Sequence, residues 1–90
     1  MKQIDEKFAG IPVEEDTRVI SREQVKVGGY DAVHEKWVWE GVIAESYIFL
    51  TEETKDLSQE ELLAMTGKED ATFKRMETYI FVNFNFQTPY

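Results

Sequence analysis

The chain contains no cysteine and a single histidine, His34, and these shortages exclude several kinds of chemistry. Without thiols, the protein has no disulfide, no thiolate metal site and no cysteine nucleophile. One histidine cannot form a histidine-rich metal centre, and no HExxH or similar spacing is present. We therefore expect the protein to hold no metal and no other cofactor.

Residues suited to catalysis are also few. As a general base, His34 would need a substrate pocket and an orienting partner, and its neighbour Glu35 points the opposite way on a strand. No serine lies in a GxSxG sequence, and Gly28-Gly29 lacks the further glycines and the lysine of a phosphate-binding loop. The sequence therefore predicts that the protein is not an enzyme.

Long apolar runs are absent as well. No stretch approaches the roughly 18 consecutive apolar residues that a membrane helix requires. The start, MKQIDEKFAG, has early acids and lacks the apolar core of a signal peptide. We expect an intracellular, cytoplasmic protein that does not bind membranes.

Basic residues are scarce relative to acids. The 10 lysines and arginines stand against 18 aspartates and glutamates, for a net charge of −8 that is shared equally by the two halves of the chain. Nucleic acid and anionic membrane would repel such a chain, because phosphates are bound by lysine and arginine. A basic protein surface is the attractive partner. The alternative is that the acids only keep an aromatic-rich domain soluble.

The chain is rich in strand-forming residues. Branched and aromatic side chains dominate Ala32 to Thr51, which predicts strand over 32–40 and 42–51 with a kink or bulge at Gly41. One predicted face carries Val33, Trp37, Trp39, Ile43, Tyr47 and Phe49, with Glu35 and Glu45 among them, and the other carries Val38, Val42, Ala44, Ile48 and Leu50. Residues 42–50 are apolar on both faces, as in a strand covered on both sides. A chain of 90 residues has little material for two covering layers, so the pattern points to a partner.

The segments before this run predict a turn and a hairpin. Ile4 and Phe8 have the spacing of a short helical turn. Thr17–Val27 is predicted as one strand or two short ones. Gly28-Gly29 then predicts a hairpin turn, because both glycines tolerate positive φ.

The C-terminal part predicts one clear strand. Residues 71–78 fit either helix or strand. YIFVNFNF over 79–86 is a strand in which Val82, Phe84 and Phe86 share one face. We expect antiparallel pairing between 42–51 and 74–86, and a short tail at Pro89-Tyr90.

A capping box marks one helix. Ser58 is followed three residues later by Glu61, so that each side chain can bond the other's free backbone N–H, and Gly67 marks the end. The predicted helix covers about 58–66. The predicted fold class is α+β: a small antiparallel sheet of four to five strands with this one short capped helix packed on it, in a single domain over 1–90.

The two tryptophans are the most distinctive side chains. Trp37 and Trp39 are two residues apart and therefore lie side by side on one face. Stacking on nucleic-acid bases would require basic neighbours, which are missing. The pair can be core residues or anchors of a protein interface, where tryptophan is enriched.

The main functional hypothesis is a small acidic protein-interaction module that does not bind nucleic acid directly. It would be an inhibitor or adaptor that covers the basic surface of a nucleic-acid-handling protein. Phages encode proteins of this type against host or defence proteins, and the likeness is one of type and not of sequence. The predicted partner-binding residues are aromatic anchors with a charged rim: Glu35, Trp37, Trp39, Glu45, Tyr47, Glu52 and Glu53.

Two alternatives stay open. In the first, the protein binds a small ligand or is an enzyme, with an aromatic pocket that a second copy completes. The residues expected to converge on that pocket are Tyr30, Tyr47, Tyr79, His34 or Glu45. In the second, the surplus apolar face forms a homodimer in a structural subunit.

Overall fold

The computed structural model of the protein describes residues 4–68 and 70–87. Within them the chain forms a five-stranded antiparallel sheet and one α-helix. The elements are a 3₁₀ turn at Glu6–Phe8, β1 at Thr17–Val27, β2 at Tyr30–Trp39, β3 at Val42–Leu50, α1 at Gln59–Thr66, β4 at Thr72–Arg75 and β5 at Tyr79–Gln87. The strands lie in the order β1-β2-β3-β5-β4. This is the mostly-sheet α+β architecture that the sequence predicts, and the predicted tail at Pro89-Tyr90 lies outside the described residues.

The two predicted strands, 32–40 and 42–51, are present as β2 and β3, but they form a hairpin, so the predicted kink at Gly41 is wrong. Glu40 and Gly41 both have positive φ, at 47° and 79°. Two successive residues with positive φ make a two-residue hairpin turn, which reverses the chain completely. Trp39 is therefore the direct partner of Val42.

The hairpin separates residues that were predicted to share a face. Trp37 pairs with Ala44, and directly paired residues point to the same side of a sheet. Glu45 and Tyr47 therefore lie on the opposite side from Trp37, because side chains alternate along β3. We call the side that carries Trp37 the groove face and the side that carries Tyr47 the helix face.

Helix α1 covers one end of the helix face. The capping box is confirmed, since Ser58 Oγ accepts from the Glu61 N–H at 3.1 Å and Glu61 Oε1 accepts from the Ser58 N–H at 3.1 Å. Leu62 is fully buried in a cluster with Phe49, Ile80 and Val82. Complete burial of one such side chain contributes about 2 kcal/mol, which is what holds a helix of two turns on the sheet.

The N-terminal segment covers the corresponding end of the groove face. Phe8 and Ile11 are buried against Val33, Ile48 and Phe81. Ile48 and its neighbour on β3, Phe49, are therefore both buried, on opposite faces, by parts of this chain itself.

Ion pairs fasten this N-terminal segment. Lys7 Nζ lies 2.6 Å from Asp31 Oδ2 on β2 and 3.1 Å from Glu53 Oε2 in the loop after β3. The hydroxyl of Tyr79 donates to the carbonyl of Lys7 at 3.1 Å. All of these contacts are at the end of the sheet that holds the Gly28-Gly29 hairpin turn, which the structure confirms by pairing Val27 with Tyr30.

An extra residue interrupts the regular pairing of β5. Glu45 pairs with Phe84 and Ile43 pairs with Gln87, so two residues of β5 stand opposite one residue of β3. Asn85 is one of the two and has a φ of 57°. A bulge of this kind reverses the alternation beyond it. The prediction that Phe84 and Phe86 share a face is therefore wrong.

The segment that the sequence left ambiguous is a strand followed by a turn. β4 covers Thr72–Arg75 and pairs with β5, and β5 in turn pairs with β3. The expected antiparallel pairing of 42–51 with 74–86, with α1 between them in the chain, is confirmed for β5. It is wrong for residues 74 and 75, which belong to β4 and pair with β5.

Candidate functional site

The groove face is open at the end of the sheet opposite the N-terminal cluster, where a cavity of about 510 Å³ lies. Four strands contribute aromatic and branched side chains to its wall: Val19, Trp37, Trp39, Val42 and Phe86. The polar side chains of Glu35, Ser46 and Asn83 form its floor, and residues 12–14 form a lip beside it. We call this cavity the aromatic groove.

Several apolar side chains of the aromatic groove are open to solvent. Val13 is 54 % exposed, Phe86 47 % and Trp39 43 %. Ile20 on β1 is the other large apolar side chain of similar exposure among residues 4–68 and 70–87, and it does not line the groove. Exposed apolar residues gathered at one place on a small protein are typical of binding surfaces.

Hydrogen bonds across three strands fix the floor. Trp37 Nε1 donates to Ser46 Oγ at 2.7 Å, and Ser46 Oγ donates to Asn83 Oδ1 at 2.5 Å. Ser46 is fully buried and pairs directly with Asn83 across β3 and β5. Since Ser46 uses the oxygen of the Asn83 amide, the NH₂ group is the part of that amide left to donate to an occupant.

A buried ion pair lies beside this chain of hydrogen bonds. Glu35 is 5 % exposed, and its Oε2 accepts from Arg22 Nε at 2.5 Å. Arg22 and Glu35 are direct partners across β1 and β2. The charge on the groove floor is therefore already balanced by a residue of this chain.

The lip extends from one edge of the sheet to the other. The backbone N–H of Thr17, at the start of β1, donates to the carbonyl of Glu14 at 3.1 Å. The Glu14 carboxylate forms an ion pair with Lys74 on β4. Exposed pairs of this kind contribute at most about 1 kcal/mol, so the lip is held weakly over the groove.

Three acidic residues lie at the end of the sheet that holds Trp39. Thr17 pairs with Trp39, which brings the Glu15-Asp16 turn beside the Glu40-Gly41 turn. Glu15, Asp16 and Glu40 are all exposed. Lys74, the basic residue that lines the groove, is paired with Glu14. We call Glu15, Asp16 and Glu40 the acidic rim.

A second cluster of polar and aromatic residues lies on the helix face. His34 Nε2 and Glu45 Oε1 are hydrogen-bonded at 2.7 Å, and Asn85 Nδ2 donates to Glu45 Oε2. The His34 ring lies 5.2 Å from Tyr47 and 6.1 Å from Phe84, measured between centroids. The Asn85 hydrogen bond, assisted by His34, lowers the pKa of the Glu45 carboxyl below 4.5, although partial burial acts in the opposite direction.

The structure separates the predicted partner-binding residues into three places. Glu35, Trp37 and Trp39 line the aromatic groove. Glu45 and Tyr47 lie on the opposite face of the sheet in the His34 cluster.

Glu52 and Glu53 lie at the far end of the sheet from the groove, in the loop after β3. They form ion pairs with Lys55 and Lys7, respectively. Their predicted contact with a partner stays a prediction, and the structure gives each of them a contact within the chain.

Sequence reasoning did not include Val13, Glu40 and Phe86 in the site. Gly41 between two strand-like segments was the available signal for Glu40, because a hairpin at this glycine places Glu40 in the turn next to the Trp39–Val42 pair. Phe86 had no local signal, because its face depends on the bulge at Asn85.

The expected pocket of the small-ligand alternative differs from the one that is present. Of its five expected residues, His34, Glu45 and Tyr47 do converge, but none of the five lines the aromatic groove. Tyr79 binds the Lys7 carbonyl, and Tyr30 packs beside the Leu62 cluster.

Two other features are absent from residues 4–68 and 70–87. No three or more acidic or histidine side chains there are arranged to hold a metal ion. No helix in this part of the chain has the length and apolar character needed to cross a bilayer.

Comparisons with protein families, curated proteins and solved structures found no match to this chain.

Proposed function

We propose that the protein is an acidic protein-binding module, an inhibitor or adaptor, that holds an apolar anchor of a basic partner in the aromatic groove. The observation that carries this proposal is the gathering of Val13, Trp39 and Phe86, all largely exposed, around one cavity. Covering the exposed half of one such side chain contributes on the order of 1 kcal/mol. Together they supply the apolar centre that protein interfaces use.

The chemistry of the floor favours an uncharged anchor. Glu35 is already paired with Arg22, and Ser46 already bonds both Trp37 and Asn83. A cationic anchor would lose its hydration and meet Arg22 beside the only carboxylate on the floor, which is unfavourable. A tryptophan, phenylalanine or leucine side chain needs no charged partner, and a backbone carbonyl beside it can accept from Asn83.

The charge around the groove favours basic residues on either side of that anchor. Glu15, Asp16 and Glu40 lie in the two turns next to Trp39, and the whole chain carries a charge of −8. Such a field speeds the association of a basic partner and repels an acidic one. The partner that fits is a protein segment with one large apolar side chain between lysines or arginines.

The test uses the indole N–H signals of Trp37 and Trp39 in heteronuclear NMR spectra. The probes are peptides with one central tryptophan, phenylalanine or leucine flanked by lysine and arginine. Control peptides carry the same anchor between glutamates, or alanine between the same basic flanks. We expect the basic peptides with an apolar anchor to shift both indole signals, and both kinds of control to shift neither.

Matched variants locate the binding site on the protein. Trp39→Ala removes a groove side chain that is 43 % exposed, whereas Ile20→Ala removes one of 49 % exposure outside the groove. Binding is expected to fall only in Trp39→Ala. The proposal would be contradicted if peptides bind without shifting the indole signals. It would also be contradicted if binding is unaffected by the peptide's anchor, by its basic flanks and by Trp39→Ala. A concentration-dependent dimer in light scattering, with both indoles shifted, would favour the homodimer instead.

A small ligand is the second candidate, and the size of the groove favours it. A cavity of about 510 Å³ lies within the range of small-molecule sites. A screen of neutral aromatic fragments, read by the same two indole signals, separates the candidates. Fragments that bind where no basic peptide does would favour the ligand-binding protein.

A further inference from the structure

The bulge in β5 places Phe86 in the aromatic groove. Residues two apart on a regular strand share a face, so without the bulge Phe86 would follow Phe84 to the helix face. The structure instead puts Phe84 beside Tyr47 and puts Phe86 edge-on against Trp37, with 6.2 Å between ring centroids. One wall of the groove therefore depends on the backbone at Asn85.

Asn85 adopts a backbone conformation that residues other than glycine rarely occupy. Its φ is 57°, in the left-handed region that asparagine tolerates better than most residues. A contact that favours this state over regular strand must come from elsewhere in the fold. Asn85 Nδ2 donates to Glu45 Oε2, on the neighbouring strand and on the helix face.

Glu45 is itself held in place. His34 Nε2 bonds its other oxygen, Oε1, at 2.7 Å, and the His34 ring stacks on Phe84. The carboxylate is thus fixed by one strand, β2, and holds the bulge of another, β5. The cluster on the helix face and the groove on the opposite face are joined by this one side chain.

We infer that Glu45 is a positioning residue for the aromatic groove: its hydrogen bond to Asn85 stabilises the bulge that turns Phe86 toward Trp37. The sequence predicts that Glu45 contacts the partner directly, whereas in this role it acts from the side of the sheet opposite the groove. The hydrogen bond between Glu45 and Asn85 and the position of Phe86 do not depend on what binds in the groove. Only the importance of this positioning for binding rests on the proposed function.

The test measures nuclear Overhauser contacts between the rings of Phe86 and Trp37 in the full chain. Glu45→Ala is expected to abolish them while the contacts between Leu62 and Phe49 stay, which shows that the fold is intact. Glu45→Gln still offers Asn85 an amide oxygen and is expected to retain the Phe86 contacts. If the alanine variant does not fold, Glu45→Asp, which withdraws the carboxylate by one methylene, is expected to lose them instead.

Asn85→Gly provides the decisive control. Glycine adopts positive φ without assistance, so the bulge is expected to form in Asn85→Gly whether or not Glu45 is present. The Glu45→Ala change should then have no effect on the Phe86 contacts in that background. Persistence of these contacts in Glu45→Ala alone, or their loss in the double variant, would overturn the inference.

A binding readout links the bulge to the proposed function. Loss of one aromatic neighbour is expected to weaken a groove-bound peptide roughly two- to tenfold. If the Phe86 contacts respond as described but no peptide binds any variant, the positioning role stands and the proposed function fails.

Discussion

The indole of Trp37 donates a 2.7 Å hydrogen bond to Ser46, and Ser46 is completely buried. The two residues lie on opposite strands of the β2–β3 hairpin, which the Glu40-Gly41 turn brings together. The Ser46 hydroxyl in turn donates to Asn83 Oδ1 on β5. These hydrogen bonds fix the position of the Trp37 indole in the wall of the groove.

Replacing Ser46 with alanine is expected to destabilise the protein. The change leaves the Trp37 N–H and the Asn83 oxygen without their partner, at a cost of about 1 to 3 kcal/mol in the free energy of unfolding. Urea denaturation measures that cost. In a Trp37→Phe background the same change should cost less, because phenylalanine has no donor to leave unpaired. An equal cost in both backgrounds would contradict the contact.

Removing the Arg22 side chain is expected to be more damaging than removing the whole Arg22–Glu35 pair. Arg22→Ala leaves the buried Glu35 carboxylate without its partner, which lowers the free energy of unfolding by roughly 2 to 3 kcal/mol. This is below the value for a fully buried pair because Arg22 is partly exposed. Arg22 Nη2 is also buried and has no partner among the described residues. The double variant Arg22→Met, Glu35→Leu is therefore expected to be as stable as the natural chain or more so. Thermal and urea unfolding of both variants provide the comparison.

The two hairpin turns are expected to respond differently to alanine. Gly41 has a φ of 79° and an open environment, so Gly41→Ala should cost only the roughly 1 to 2 kcal/mol of a left-handed residue. At Gly28 an added Cβ would lie 2.7 Å from Met65 Sδ, and Gly28→Ala should cost more. The added cost of Gly28→Ala should fall toward that of Gly41→Ala once Met65 is alanine. Unfolding free energies of these variants decide the matter, and equal costs at both glycines would rule out the Met65 contact.

Asp31 is expected to make the stability of the protein depend on pH in the acid range. Lys26 and Lys7 lower the pKa of its carboxyl from 3.8 to about 2 by hydrogen bonding. Because the folded-state pKa is the lower one, the contribution of Asp31 is present above about pH 4 and is lost as the pH falls toward 2. The slope of the unfolding free energy against pH should flatten over this range in Asp31→Asn.

The position of the acidic rim predicts which charges steer a partner. Glu40→Lys is expected to slow the association of a basic peptide several-fold at low salt and to have little effect at high salt. Glu52→Lys makes the same change in net charge at the far end of the sheet and should have a smaller effect. Stopped-flow tryptophan fluorescence measures both rates. A larger effect of Glu52→Lys would contradict the acidic rim and place the partner contact near Glu52 and Glu53, as the sequence predicts.

The sequence was sufficient where the signals are local. Ser58, Glu61 and Gly67 mark the ends of α1 through hydrogen bonds between residues a few positions apart, and the structure has those bonds. The Gly28-Gly29 turn and the alternation of β3 were also readable, because glycine pairs and strand periodicity act within one or two elements. The mostly-sheet architecture follows from these elements together.

The groove itself could be predicted only in part. Trp37 and Trp39 were identified by their type and spacing, but their neighbours depended on whether the chain kinks or reverses at Glu40. A glycine inside a strand-like run is typical of a bulge or bend, so the sequence pattern favoured a kink at Gly41. The reversal moved Tyr47 to the opposite face.

Composition and local pattern thus determined the class of fold, the helix, the excess of acid and the presence of surplus apolar side chains. Tertiary structure alone decided which of those side chains meet. The reason is that a sheet alternates with a period of two, so one turn at Glu40-Gly41 and one extra residue at Asn85 exchange the faces of everything beyond them. Whether Asn85 forms a bulge depends on Glu45, forty residues away in the chain, and no local pattern contains that contact.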